Sequence, residues 1–240
     1  ATAGASTGGT ESGGGGTEAG GGGTDTGGAG GCDTGTTHTG GTEYCTLSQG
    51  AVGNGYSYGI WWNEASSACL TVFGDEATFG ASFRDSGDLL AFVGLAYDET
   101  RTPDQIGIFS ADFAFTTAAT SGTGFLGVYG RSSDPDVEYY VIEDWWGTRP
   151  TFNMLRGTIH VDGGTYDVYE DAISGTTIIR IYASVRTEGR SCGHTSISQH
   201  FTEWAGMEMP MGMLQEVTLF VEGLHADGDV EYTRGMVTVE

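Results

Sequence analysis

Two glutamates carry the same signature in distant parts of the chain. In VEYYVIED, residues 137–144, a strand would turn Glu138, Tyr140 and Ile142 to one face and Val137, Tyr139, Val141 and Glu143 to the other. In LQEVTLFVEG, residues 214–223, Glu222 likewise shares a face with Phe220, Thr218 and Glu216. A carboxylate in an apolar strand is costly to bury unless it is solvated or hydrogen-bonded, so both acids are expected to line a cleft. Facing each other across one groove, such a pair has a specific use: one carboxylate attacks the anomeric carbon of a sugar while the other protonates the leaving oxygen. Flat apolar rings stack on sugar faces, and YSYGIWW supplies Tyr56, Tyr58, Trp61 and Trp62. The competing reading makes both glutamates solvent-facing acids of an acidic protein. Glu143, on the opposite face, and Asp144, near the strand end, read as surface acids.

These residues need a sheet to hold them. From Gly50 onward, short runs rich in Val, Ile, Tyr, Phe, Trp and Thr alternate with Gly, Asp and Ser turns, as in an all-β sandwich or barrel. The expected strands include Thr78–Arg84, Ile106–Ala114, Gly124–Tyr129, Val137–Asp144, Gln215–Gly223 and Asp229–Val239. One segment departs from the period of two. In SISQHFTEWAG the apolar Ile197, Phe201 and Trp204 recur at helical spacing, predicting a single helix capped by Ser196 and ended by Gly206. One helix beside two curved antiparallel sheets gives a β-jelly-roll sandwich whose concave sheet forms a long cleft.

The rest of the chain bounds the partners. Residues 1–31 contain no apolar side chain larger than Ala and are mostly Gly and Thr, a composition unable to build a core, so they read as a flexible tether. The net charge of −23, from 32 acids against nine arginines, argues against nucleic acid and leaves a neutral polymer as the expected partner. The chain begins at Ala1, and no stretch approaches the ~20 apolar residues of a membrane helix, so a secreted protein with its signal peptide removed is expected. Four cysteines suit that compartment. Cys32 with Cys45 and Cys69 with Cys192 is one pairing of three, and the sequence does not choose among them. A metal site through Cys32, His38 and Cys45 lacks a fourth ligand, and no metal or organic cofactor is expected. DPD at 134–136 and HADGD at 225–229 read as acidic turns.

At these residues the chain from about Gly50 to Glu240 resembles the family 11 glycoside hydrolases, small single-domain endo-β-1,4-xylanases. NGYSYGIWWN is similar to the family's early aromatic strand, FLGVYGRSSDPDVEYYVIEDW to its nucleophile strand, and GGTYDVY to the strand leading into its thumb hairpin. SVRTEGRS and HFTEWAGM resemble the segment entering its helix, and FVEG the strand of the acid/base. The resemblance implies Glu138 as nucleophile and Glu222 as general acid/base of a retaining double displacement on xylan, without cofactor. It implies Tyr129 and Tyr140 as hydrogen-bonding support, Asp88 beside the acid/base with an acidic pH optimum, and Trp61 as a sugar platform. Tyr58, Phe125 and Arg131 complete the implied substrate contacts.

The departures from the family lie in the cleft. Only EDAISGTT, residues 170–177, stands where the family has a long thumb. Arg131, Ser133, Ile181, Phe125 and Glu216 replace the family's usual Trp, Arg, Gln, Tyr and Tyr. The expected organisation is a tether over 1–31, a Cys-bracketed junction over 32–49 and a catalytic domain over 50–240. That body is expected to be a monomer, tethered to another domain or to the cell surface. Two other readings compete with a xylanase: a carbohydrate-binding module that keeps the groove without turnover, and a structural domain of the cell surface.

Overall fold

In the computed structural model, residues 32, 34–74, 76–175 and 178–240 are described, and the tether expected over 1–31 lies outside them. The described strands are β1 (Thr42–Tyr44), β2 (Ser48–Gly53), β3 (Tyr56–Asn63), β4 (Ser67–Val72), β5 (Phe79–Ala96), β6 (Phe109–Ser133), β7 (Val137–Trp146), β8 (Met154–Val161), β9 (Gly164–Ser174), β10 (Ile178–Arg186), β11 (Cys192–Thr195) and β12 (Met213–Val239). Helices α1 (Pro103–Ile106) and α2 (Ile197–Gly206) join them.

Hydrogen bonding links the strands in the order β1-β4-β5-β12-β6-β7-β10-β9-β8, with β3 on β5, β2 on β3 and β11 on β6. Three strands are long enough to serve two layers. The first part of β5 pairs with β4 and with residues 228–231 of β12, whereas its second part pairs with β3 and residues 216–224 of β12. Strand β6 divides in the same way between the two halves of β12. The folded-over sheet is therefore a jelly-roll sandwich.

The sequence reading broke these long strands where Gly, Asp and Ser cluster, and missed the apolar run after Asp88 altogether. The structure bends the chain there without reversing it. Register shifts fall between Leu224 and Asp227 and between Asp227 and Asp229, so HADGD is a bulged kink within β12 and not a turn. Its partner kink in β6 needs a glycine: Gly122 has φ 71°, and a Cβ there would lie 2.1 Å from the carbonyl oxygen of His225.

Alternation along the strands sorts side chains into two apolar clusters. Phe79, Phe83, Leu89 and Val93 of β5 pack between the layers with Leu219, Val221 and Tyr232 of β12. Phe125, Tyr129, Tyr140 and Phe220 gather on the concave face instead, forming the floor of the cleft. Burying a side chain of this kind is worth about 1.5–3 kcal/mol, so the interlayer cluster holds the scaffold while the second cluster stiffens the floor.

Several expectations are corrected. A second helix exists: Thr102-Pro-Asp-Gln sets up α1, with the Gln105 side chain accepting from the Thr102 backbone N–H. Ser196 precedes α2, but its hydroxyl donates to Asp162 and not back to the helix. The junction over 32–49 supplies β1 and the start of β2 to the sheet. The disulfides are Cys32–Cys192 and Cys45–Cys69, because β1 pairs with β4 and so brings Cys45 beside Cys69, at a Cα separation of 4.1 Å.

Glu143 is the largest correction. It is fully buried on the face of β7 opposite Glu138, held by the guanidinium groups of Arg190 and Arg186 and by hydroxyls of Tyr166 and Thr195. Two cations and those donors offset its desolvation, which an acid facing an apolar core otherwise bears alone. Asp144 is half-buried, and its pKa is raised by that burial.

Candidate active site

Register sets the site. On β7 Glu138 stands opposite Arg131 of β6 and Ile181 of β10, and Tyr140 stands opposite Tyr129. On β12 Glu222 stands between Leu90 of β5 and Phe125 of β6, and Asp88 is opposite Leu224. Period-two alternation turns all of these side chains onto the concave face. There Trp61, Asp88, Phe125, Glu138, Tyr140 and Glu222 line one cavity of about 550 Å³.

The two glutamates have different surroundings. Oε1 of Glu138 accepts from the hydroxyls of Tyr129, at 2.9 Å, and Tyr140, at 3.2 Å. Burial, together with nearby carboxylate charge, holds both phenols far above their usual pKa, so both remain donors. Two phenol donors on one oxygen orient the Glu138 carboxyl, as the carboxyl of a nucleophile must be oriented. Glu222 is set differently. Its pKa is raised well above the ordinary value, first by burial and then by the charges of Asp88 and Glu138, with the Tyr140 hydroxyl opposing. Its Oε2 is out of solvent and has no hydrogen-bond partner among the described residues. A buried oxygen of this kind suits a neutral carboxylic acid holding a proton for an incoming acceptor.

Asp88 completes the electrostatics. Burial raises its pKa, the charge of Glu138 raises it further, and His225 lowers it. Three carboxyl groups thus share one cavity, and repulsion among them raises both Asp88 and Glu222.

Trp61 is 45% exposed at the rim, a free flat ring where stacking needs one. Tyr58 does not join it. Its ring stacks on Tyr44 at 4.1 Å, its hydroxyl meets Ser48, and it borders a second, smaller cavity beside Glu216. Arg131 is exposed on the concave face beside Glu138 but outside the walls of the 550 Å³ cavity.

The sequence reading missed one wall. The segment Thr148–Phe152 follows β7 without alternation and so gave no periodic signal, yet it borders the cavity. Phe152 stacks on Tyr140 with ring centroids 6.1 Å apart. Arg149 is fixed by the carbonyl oxygens of Val185 and Arg186 and by Asp167. Opposite this wall, β9 and β10 are joined by residues 175–177 alone, and Ile173 and Ile181 face the cavity from that hairpin.

The glycosyl hydrolases family 11 profile matches residues 53–233. Endo-1,4-beta-xylanase C of Neocallimastix patriciarum is 34% identical over 195 residues, which cover 77% of this chain and 40% of that protein. Endo-1,4-beta-xylanase C of Fibrobacter succinogenes is 32% identical, over 82% of this chain and 34% of its own length. The chain thus spans well under half the length of these two relatives. Endo-1,4-beta-xylanase A of Bacillus pumilus is 34% identical, over 76% of this chain and 82% of its own length. Among solved structures, the family 11 xylanase from Neocallimastix patriciarum superposes with a TM-score of 0.72 at 28% identity, over 83% of this chain and all of that one.

Proposed function

Because the chain belongs to the family 11 glycosyl hydrolases, we propose that it is an endo-β-1,4-xylanase that cuts internal bonds of xylan with retention of configuration. One observation carries the reading: Glu138 and Glu222 share a single cavity in which two hydroxyl donors hold the first and burial favours the neutral form of the second. Glu138 attacks the anomeric carbon as the glycosidic C–O bond breaks, and the Glu222 proton passes to the departing oxygen. A covalent glycosyl-enzyme results. Glu222, now ionised, takes a proton from water, whose oxygen attacks the same carbon and releases Glu138. This chemistry calls for carboxyl groups about 5–5.5 Å apart. Trp61 stacks on a sugar ring, and Tyr129 and Tyr140 hold Glu138 in line.

The test is release of reducing ends from soluble xylan, with product anomers followed by NMR. Wild type is expected to give the β-anomer first, and Glu138→Gln to lose at least about 10³-fold in kcat. Inversion, or full activity in that variant, rules the mechanism out. Binding of xylan without turnover identifies a carbohydrate-binding module instead. The Gly/Thr-rich leader and two disulfides support a secreted protein carried on a tether. Among the described residues no helix is long and apolar enough to cross a membrane.

A further inference from the structure

The concave face continues past the catalytic cavity, and two charged residues stand there. Glu216 and Arg131 are directly opposite each other on β12 and β6, and Arg131 is opposite Glu138 on its other side. Glu216 lines a separate cavity of about 310 Å³ with Gln49, Ser57 and Phe92. An aromatic ring among amide, hydroxyl and carboxyl groups is the chemistry of a sugar subsite. Arg131, which Glu216 faces in the ladder, is exposed, and no carboxylate among the described residues comes within ion-pair distance of it. The other guanidinium at the cleft, Arg149, is already paired with Asp167 and donates to two carbonyl oxygens.

We propose that Glu216 and Arg131 form a two-part specificity subsite: Glu216 hydrogen-bonds a backbone sugar in the smaller cavity, and Arg131 pairs with a carboxylate on that sugar's side chain. The substrate class is therefore xylan bearing uronic-acid branches, and the inference rests on the reading of the cleft as a xylan site. Guanidinium matches carboxylate geometry with two parallel hydrogen bonds, and an exposed guanidinium leaves room for a branch that points to solvent. In a protein with a net charge of −23, an acidic branch is repelled everywhere except beside an uncommitted cation. Glu216 does not compete for that cation in acid. Its pKa is pushed up to about 7 by burial, with Arg131 lowering it and Glu138 raising it, and the phenols of Tyr129 and Tyr139 are the other titratable groups its charge acts on.

The test measures binding apart from turnover. In the Glu138→Gln protein at pH 5 and low salt, calorimetry compares a xylo-oligosaccharide carrying one uronic-acid branch with the unbranched oligosaccharide of equal length. The branched ligand is expected to bind about tenfold more tightly, and less so in high salt. Adding Arg131→Gln brings the ratio to about one, Arg131→Lys keeps part of it, and Glu216→Gln keeps it. Equal affinities in the starting protein, or a preference that survives Arg131→Gln, overturns the proposal. The reducing-end assay on unbranched xylan separates the two readings. Turnover without a branch preference discards this subsite alone, whereas a branch preference without turnover supports the subsite and discards the enzyme. Binding to neither oligosaccharide discards the subsite.

Discussion

The hydroxyl of Tyr140 touches the chemistry twice, as a donor to Glu138 and as a group that lowers the pKa of Glu222. Tyr140→Phe removes it while leaving the ring packed against Phe152 and Phe220. The expected cost is roughly 1–3 kcal/mol of transition-state stabilisation, or about 5- to 150-fold in kcat/KM, with little change in melting temperature. Unchanged kinetics would show that Tyr129 alone suffices. Asp88 governs the pH response. Its pKa is raised first by burial and then by the charge of Glu138, so it loses its proton above the usual carboxylate range. That ionisation places a second negative charge in the cavity and closes the alkaline limb of the profile. Asn is neutral at every pH, so Asp88→Asn is expected to move the alkaline limb upward, toward the pKa of Glu222. Removing the charge of Asp88 also lowers Glu222 somewhat, but burial is the larger cause and remains. A profile of kcat/KM that stays put or moves to lower pH defeats this account.

At the scale of the element, β7 shows what sequence periodicity reveals and what it hides. Alternation alone placed Glu138 with Tyr140 and set Glu143 against them, and the structure agrees on the faces. It could not say what covers the second face, because Arg186, Arg190 and Thr195 come from β10, the loop before β11, and β11 itself. A buried acid is thus legible only when its distant partners are known. Tyr58 shows the same limit. Its aromatic neighbours signalled a platform at the catalytic cavity, but its ring packs on Tyr44 and it borders only the smaller cavity beside Glu216. The helix was legible from Ile197, Phe201 and Trp204, all of which are buried as their spacing requires. Its fourth buried residue, His200, faces Ser184 of β10 at 3.0 Å, and burial lowers its pKa from 6.5 to about 4. A depressed histidine is neutral in the fold and protonates more readily when unfolded, so stability falls as pH drops from about 6.5 towards 4. The loss reaches at most about 3 kcal/mol. Melting temperatures at pH 7 and pH 4 should show this drop, and His200→Gln should narrow it. An unchanged slope in that variant removes His200 from the explanation.

At the scale of the whole molecule, the two layers are not independent sheets. Strands β5, β6 and β12 run through both, so the wall that carries Glu222 and the back layer share continuous backbone. The disulfides act on this body differently. Cys45–Cys69 ties neighbouring strands across a separation of 24 residues, whereas Cys32–Cys192 spans 160 and joins the start of the described chain to β11. Under tension applied between residue 32 and the C-terminus, the load therefore enters at β11 and passes to β6, bypassing β1. With the bridge intact, the stretch between Cys32 and Cys192, a sequence separation of 160, is shielded from the pull. Single-molecule extension in oxidising and reducing buffer should differ by the hidden length, roughly 540 Å at about 3.4 Å per residue. Equal extensions would mean that the bridge carries no load. The catalytic strand β7, at residues 137–146, lies inside the shielded span, so in the oxidised protein a pull on the leader cannot draw it out.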